Sequence, residues 1–333
     1  MKIISKTFKL LSVFVLVLGL TACDDDDDNN GPTAQATTVV DVALANNLTS
    51  LAAALTVTGL VDDLEGTGPF TVFAPTNDAF TALLTATGLD LDNLTTDQEA
   101  LVRNILLNHV IVGSTISSTD LVGLGSGYTN TMATGPNGAN LSLYFNTGSG
   151  VVLNGQSTVT NADNTATNGT VHIVDTVIGL PTIATFATTN DALNTLESAL
   201  NFADTGSPTV PWIDTVSDAA AGPFTVFAPT NDAFGNVLTE LGLSGLGEGA
   251  GELNAATTDA VLLMHVVSGN IQSSGLPNGA VTTLGGVITA DNTAFTLTDG
   301  LDREIGIVTA LVDIQAINGV VHVVDTVIRP GSN

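Results

Sequence analysis

The thirteen residues GPFTVFAPTNDAF occupy positions 68–80, and the same thirteen residues occupy positions 222–234 without a change. The first half of the string alternates aromatic and β-branched residues, which predicts a β-strand. Pro75 should end this strand because proline has no N–H to donate to a neighbouring strand.

The second half of the string predicts a helix that begins directly after the strand. Thr76 or Asn77 can cap the helix, and Asp78 lies in the first turn, where the helix dipole favours a negative charge. Asn231 and Asp232 hold the matching positions in the second copy. Both copies therefore predict the same corner of strand, cap and helix.

Other segments repeat in the same order, with spacings that change by only a few residues. They are NHV (108–110) with MHV (264–266), NGTVHIVDTVI (168–178) with NGVVHVVDTVI (318–328), and LTSLAAAL (48–55) with LNTLESAL (193–200). A period near 150 residues is domain-sized and far longer than a solenoid repeat.

We therefore predict two tandem homologous domains at residues 37–179 and 180–329. The junction at Leu180-Pro181 is so short that the two domains are expected to touch.

The segment NGTVHIVDTVI predicts a tight turn followed by a central strand. Asn-Gly at 168–169 favours a hairpin because both central positions of such a turn need positive φ. The residues that follow are apolar on both faces, as in a strand covered on both sides. Segments 38–55 and 95–110 carry apolar residues at helical spacing. The predicted fold class is α+β.

Residues 1–22 predict a lipoprotein signal peptide. Three lysines precede an apolar run at 10–20, which is too short to cross a bilayer. LTAC at 20–23 resembles a lipobox, in which the cysteine becomes the lipidated N-terminus; an ordinary signal peptide with a chance cysteine is the alternative. Cys23 is the only cysteine, so the mature chain has no thiol for a disulfide, a metal or catalysis.

The mature chain is strongly acidic. It keeps Arg103, Arg303 and Arg329 against 33 acidic residues, which leaves a net charge of −30. A nucleic acid or an anionic lipid would be repelled, so neither is an expected partner. Weak association with divalent cations is one consequence of this charge, and solubility in a salty medium is the simpler one.

Residues 23–36 predict an extended acidic tether. The five aspartates at 24–28 repel one another, and the Gly-Pro that follows at 31–32 prevents a helix. The run resembles the acidic export tag of surface-exposed bacterial lipoproteins. The length of the run favours a lipid-anchored protein of the cell envelope, at the outer membrane and exposed on the cell surface; retention in the inner membrane, which an Asp beside the lipidated cysteine causes in other bacterial lineages, is the alternative.

The repeated anchors resemble the fasciclin (FAS1) family. Two ordered boxes carry the resemblance in each copy, with His109 or His265 between them; the boxes are 71–80 and 168–178, then 225–234 and 318–328. The resemblance implies a wedge of about seven β-strands flanked by helices in each domain. It also implies an extracellular or envelope protein that acts in adhesion or matrix organisation.

The sequence shows one departure from matrix members of the family. In those members a tyrosine precedes the middle histidine, and the pair is linked to integrin binding. Here Asn108 and Met264 precede His109 and His265. Integrin recognition is therefore not expected.

The four histidines belong to repeated anchors, and we predict that they are structural. They are His109, His172, His265 and His322. A partly buried ring that ties a strand or helix end by hydrogen bonds explains their repetition; a metal or catalytic pair in each domain is the alternative. No metal-ligand spacing, nucleophile elbow or phosphate-binding loop occurs. We expect no enzyme activity, no metal and no cofactor.

The second copy has an insertion. Before the thirteen-residue string, 21 residues (201–221) stand where the first copy has 12 (56–67). The insertion contains Trp212, the only tryptophan, beside Pro211. An exposed aromatic residue on a stiffened loop predicts a partner contact; packing of Trp212 against its own domain is the alternative.

Taken together, these features predict a non-enzymatic, lipid-anchored adhesion or matrix-contact protein of the cell surface. Its partner would be another surface protein or a polysaccharide. The second hypothesis is a carrier that holds a small apolar ligand in a cleft between the helices and the sheet.

Overall fold

The computed structural model describes residues 37–331. The predicted signal peptide (1–22) and the whole predicted tether (23–36), including Cys23, lie outside the described residues. Residues from Thr37 onwards form one compact unit. It consists of two repeats of α+β structure, as the sequence predicts.

The first repeat has a single mixed sheet. Its helices are α1 (Val39–Ala45), α2 (Thr49–Val57), α3 (Val61–Leu64), α4 (Asn77–Thr87), α5 (Thr96–Leu107) and α6 (Ser118–Leu124). Its strands are β1 (Phe70–Pro75), β2 (Val110–Val112), β3 (Ser126–Thr134), β4 (Asn140–Asn146), β5 (Val152–Leu153), β6 (Ser157–Ala166) and β7 (Gly169–Val174). They lie in the order β2-β1-β7-β6-β5-β4-β3. β1 and β7 are parallel, and the other neighbours are antiparallel.

The second repeat divides its strands between two sheets. Its helices are α7 (Ile183–Thr189), α8 (Asn194–Asp204), α9 (Trp212–Ser217), α10 (Asn231–Leu241) and α11 (Ala255–Leu263). Its strands are β8 (Phe224–Pro229), β9 (Val266–Ser268), β10 (Gly279–Thr282), β11 (Val287–Asp291), β12 (Thr296–Thr298), β13 (Glu304–Gly306), β14 (Ile314–Ala316) and β15 (Gly319–Val324).

The repeats share a four-stranded centre. The order β14-β15-β8-β9 in the second repeat matches β6-β7-β1-β2 in the first. β8 and β15 are parallel, like β1 and β7. The remaining strands differ, because β3 to β5 extend the sheet of the first repeat while β10 to β13 form a sheet of their own. The prediction of about seven strands is thus met in one sheet by the first repeat, whereas the second has eight strands in two sheets.

The two anchor strands of each repeat are covered on both faces. In β1, Phe70, Val72 and Ala74 pack against the helices. Phe73 faces a second cluster that includes Leu143 of β4. This two-sided burial explains why the predicted strands are almost wholly apolar.

The sequence prediction for Asn168-Gly169 is wrong in its detail. The turn between β6 and β7 consists of residues 167 and 168, and Gly169 is already the first residue of β7. Glycine is needed there because a Cβ atom would overlap the carbonyl oxygen of Phe70 on the neighbouring strand. The cause is therefore the close approach of two strands rather than turn geometry.

Asn168 instead braces the surrounding loops. Its side-chain oxygen accepts a hydrogen bond from the Val39 N–H at 2.9 Å. Its side-chain nitrogen donates to the carbonyl groups of Leu64 and Gly66, each at 2.8 Å. Asn318 makes the equivalent three bonds in the second repeat.

The two repeats touch, as the short junction predicts. Tyr144 of β4 is buried within the core cluster of the second repeat. The Gln315 N–H of β14 donates to the Ser142 hydroxyl at 2.9 Å. The Asn190 side chain donates to the Tyr128 hydroxyl at 3.0 Å. The contact thus combines apolar burial with buried hydrogen bonds.

Candidate functional site

His109 and His265 lie directly after the ends of α5 and α11. The Nδ1–H of His109 donates to the Ile105 carbonyl at 2.7 Å, and its Nε2 accepts from the Ile178 N–H at 2.8 Å. His265 makes the equivalent bonds at 2.8 and 2.9 Å. Each ring therefore joins the end of a helix to the segment that follows the central strand.

His172 and His322 lie in the central strands β7 and β15 and use the opposite ring nitrogen as the donor. The Nε2–H of His172 donates to the Ile116 carbonyl at 2.9 Å, and its Nδ1 accepts from the Asp163 N–H at 3.2 Å. His322 makes the equivalent bonds at 2.9 and 3.2 Å. Both nitrogens of all four rings are thus held by backbone groups.

Burial favours the neutral form of His109, His265 and His322. Loss of solvation lowers the pKa of His109 and that of His265 to about 4, although the carbonyl partners oppose the shift. Burial also lowers the pKa of His322. A neutral ring with one N–H donating and the other nitrogen accepting has no lone pair left for a metal or a substrate proton.

Phe73 of the repeated string, in β1, contacts both histidines of the first repeat. Its N–H donates to the His109 carbonyl at 2.9 Å. Its ring is stacked on that of His172, with centroids 5.4 Å apart. Phe227 has the same relation to His265 and His322. The predicted histidines and the repeated string therefore form one packing unit in each repeat.

The polar residues of the string have divided roles. Thr76 caps α4, since its hydroxyl accepts from the Ala79 N–H at 3.2 Å. Asn77, the alternative cap, instead donates to the Asn47 carbonyl at 2.9 Å and accepts from the Ser50 N–H at 2.9 Å. Its side chain therefore fastens the start of α4 to the loop between α1 and α2.

The second copy repeats these roles. Asn231 donates to the Asp191 carbonyl at 2.7 Å and accepts from the Thr195 N–H at 2.8 Å. Asp78 and Asp232 are exposed in the first turns of α4 and α10. That position suits the helix dipole.

The prediction that Trp212 contacts a partner is wrong, because its side chain is only 1% exposed. The indole N–H donates to the Asp259 carboxylate at 2.8 Å, and the rings lie within the core cluster of the second repeat. Asp204 accepts from the Trp212 N–H at 2.8 Å. An aromatic ring with a buried partner for its N–H is more stable inside the domain than in water. Pro211 remains exposed beside it.

Two acidic loop residues, Asp90 and Asp299, have hydrogen-bond or ion-pair partners within the protein. Asp90 accepts hydrogen bonds from the Asp92 N–H and from the Asn93 side chain. Asp299 pairs with Arg303. Within residues 37–331, no three His, Cys, Asp or Glu side chains come together in a way that could hold a metal ion.

The three arginines also have acidic partners. Arg103 pairs with Asp63 at 3.1 Å, and Arg329 and Arg303 reach Glu240 at 2.8 and 3.6 Å. These pairs neutralise most of the positive charge of the described chain, so its outer surface presents mainly carboxylates and neutral polar groups.

The contact between the repeats contains residues that the sequence analysis did not single out. The ring of Tyr128 lies 5.5 Å from that of Phe186 across the contact, and 5.0 Å from that of Tyr144 in its own repeat. Burial raises the pKa of the Tyr128 hydroxyl. Nearby, Asn154-Gly155 forms a hairpin turn between β5 and β6 with positive φ at both residues. The Asn-Gly pair in the sequence is a signal that could have indicated this turn.

Comparison with known proteins assigns the chain to a family. The model of the fasciclin domain matches residues 46–181 and 192–330. The chain belongs to the fasciclin family and carries two tandem copies of its domain. Within residues 37–331, no helix has both the length and the apolar character needed to cross a membrane.

Individual relatives match one or both repeats. Protein sll1483 of Synechocystis is 38% identical over 147 residues, which is 44% of this chain and 75% of the relative. Transforming growth factor-beta-induced protein ig-h3 of Oryctolagus cuniculus is 28% identical over 284 residues, which is 81% of this chain but only 36% of that protein. A solved FAS1 domain pair from the insect cell adhesion molecule fasciclin I aligns with a TM-score of 0.49 and 16% identity, over 85% of this chain and 97% of that chain.

Proposed function

We propose that this chain is a lipid-anchored protein of the cell envelope, exposed at the outer membrane, that makes adhesive or matrix contacts and catalyses no reaction. Its partner is another surface protein or a polysaccharide. Family membership supports an adhesive role, because adhesion and matrix organisation are what the fasciclin resemblance implies.

The observation that carries the proposal is the state of the four histidines. They are the residues most suited to acid–base or metal chemistry, and both nitrogens of every ring are bound to backbone groups. In the described part of the chain, each histidine ring therefore links backbone segments within its own domain. A rigid scaffold that presents its loops suits a binding protein.

No observation favours the apolar-ligand carrier. In the first repeat, the cavity between the helices and the sheet has a volume of about 10 Å³. That is about the space of one water molecule, whereas ligand pockets measure roughly 300–1,000 Å³. The apolar side chains that line this cavity include Val39, Leu55 and Leu106, and they fill the cleft themselves.

Replacement of Cys23 tests the proposed anchor and location. Cys23→Ser should move the protein from the membrane fraction to the soluble fraction and abolish attachment between cells. Protease treatment of intact cells should remove the wild-type protein. A Ser variant that stays in the membrane fraction would contradict the anchor. Wild-type protein that survives the protease until the cells are lysed would contradict surface exposure.

A further inference from the structure

A groove lined mostly by uncharged polar residues lies between the two repeats. It has a volume of about 650 Å³, in the range of small-molecule sites. One wall comes from the first repeat around β4 to β6, and the other from α7 of the second repeat. We call this the interdomain groove; its polar lining includes Asn146, Asn154, Gln156, Thr185, Thr188 and Thr189.

Asn154, one of the residues that line this groove, has an unpaired donor. The residue is only 3% exposed, and its side-chain oxygen accepts from the Tyr144 N–H at 2.9 Å. That bond fixes the orientation of the amide. The Nδ2 atom then has no hydrogen-bond partner among the described residues. Since buried donors are almost always paired, this one is suited to a ligand oxygen.

The two walls are held in place by a close contact. Gly155 follows Asn154 in the turn, and a Cβ atom there would overlap the Thr189 methyl group of α7. Both residues of the turn have positive φ, at 46° and 65°. The tyrosine and phenylalanine contact described above continues the same boundary. The interdomain groove is therefore formed before any ligand arrives, which reduces the entropy lost on binding.

The chemistry of the lining excludes several ligand classes. No charged side chain lines the groove, although the chain has 33 acidic residues. A metal cation would find no carboxylate there, and an anion would be repelled by the net charge. A purely apolar ligand would leave the Asn154 amide unpaired.

A neutral sugar satisfies the same lining. The hydroxyls of Thr188 and Thr189 donate to the carbonyls of Ala184 and Thr185, which leaves their oxygen atoms free to accept from a ligand. Asn154 supplies the donor. Half-buried Val152 and Ala184 lie in the same groove and can cover the apolar C–H face of a sugar ring.

We propose that the interdomain groove binds a neutral oligosaccharide segment of a surface or matrix polysaccharide. This inference rests on the proposed adhesive function and deepens it, because it names the class of partner and the place of contact.

Binding of neutral glycans to the full chain tests the inference. The probes are immobilised cello-, malto-, manno- and xylo-oligosaccharides, together with the neutral polysaccharide fraction from cells that make the chain; oligogalacturonate is the charged comparison. We expect at least one neutral probe to bind and oligogalacturonate not to bind. No neutral binding, or equal binding of the charged probe, would overturn the inference.

Two variants in the groove and one control variant outside it test whether glycans bind at this site. Asn154→Asp keeps the acceptor for Tyr144 but removes the unpaired donor, and Thr188→Trp fills the groove from an exposed position. Each should weaken neutral-glycan binding by about tenfold or more. Thr81→Trp is the control, since Thr81 is exposed and bonds to the carbonyl four residues earlier, as Thr188 does, but lies outside the groove.

Thermal unfolding of each variant shows whether its domains remain folded. Thr188→Trp keeps the test decisive if Asn154→Asp fails to fold. Glycan binding that survives Thr188→Trp in a folded protein would overturn the inference.

A cell-attachment assay distinguishes failure of the groove inference from failure of the proposed adhesive function. If deletion of the protein abolishes cell attachment but Thr188→Trp does not, the groove inference fails and the adhesive function stands. If the purified chain binds neutral glycans through the groove but deletion leaves attachment unchanged, the adhesive function fails and the groove inference stands.

Discussion

Trp212 makes both an apolar and a polar contribution to the second repeat. Its rings fill the core, and its indole N–H bonds to buried Asp259. Trp212→Ala should lower the free energy of unfolding by about 3–5 kcal/mol, because it leaves a cavity and removes the hydrogen-bond partner of one Asp259 carboxylate oxygen. Pro211→Ala, one residue away and exposed, should change it by less than about 0.5 kcal/mol. Equal effects of the two changes in urea unfolding would contradict the burial.

His109 and His265 make stability depend on pH. Burial holds the pKa of each near 4, against 6.5 in the unfolded chain. The unfolded chain therefore binds more protons between these values, so each ring contributes stability that is complete above pH 6.5 and is lost as the pH falls towards 4. The loss should amount to about 3 kcal/mol for each ring.

Urea unfolding at a series of pH values checks this prediction. The double variant His109→Gln, His265→Gln should be less stable than wild type at pH 7 but should lose less stability between pH 6.5 and pH 4. Subtracting the stability curve of the variant from that of the wild type cancels the titration of the many carboxylates, which both proteins share. Parallel curves would show that the rings do not carry the dependence.

At the scale of elements, the hairpins that precede β7 and β15 depend on one asparagine each. Asn168→Ala removes three hydrogen bonds and leaves buried backbone groups without partners. We expect a loss on the order of 3 kcal/mol in the free energy of unfolding. Asn318→Ala should have a similar effect in the second repeat. Asn93→Ala is the matched control, because Asn93 is exposed and donates only to Asp90; a comparable loss there would refute the bracing role.

At the scale of the whole molecule, the two repeats should unfold together. Tyr144 belongs to the first repeat by sequence but is 3% exposed within the core of the second. Calorimetry of the wild type should show one transition. Tyr144→Ala should cost about 3–5 kcal/mol and separate the transition into two. Tyr144→Phe keeps the ring and should retain one transition; two transitions in that variant would mean that the ring does not couple the domains.

The sequence alone was sufficient for the corner of strand, cap and helix, which depends on local sterics. The repeated string predicts the strand, the cap and the helix, because the alternation of side chains, the proline and the capping residue act within a few positions of one another. The doubled anchors predict two domains of α+β class and the fasciclin family. The short junction predicts that the domains touch.

Only the tertiary structure decided what depends on residues far apart in the chain. Trp212 is buried because Asp259, 47 positions later, offers its indole a partner. Gly169 is needed because β1 passes beside it, and Asn154 faces a groove because α7 of the other repeat closes the second wall. The anchors match in the two repeats, yet β3 to β5 extend the sheet of the first repeat whereas β10 to β13 form a separate sheet in the second. Such contacts depend on packing between segments, which no local pattern encodes.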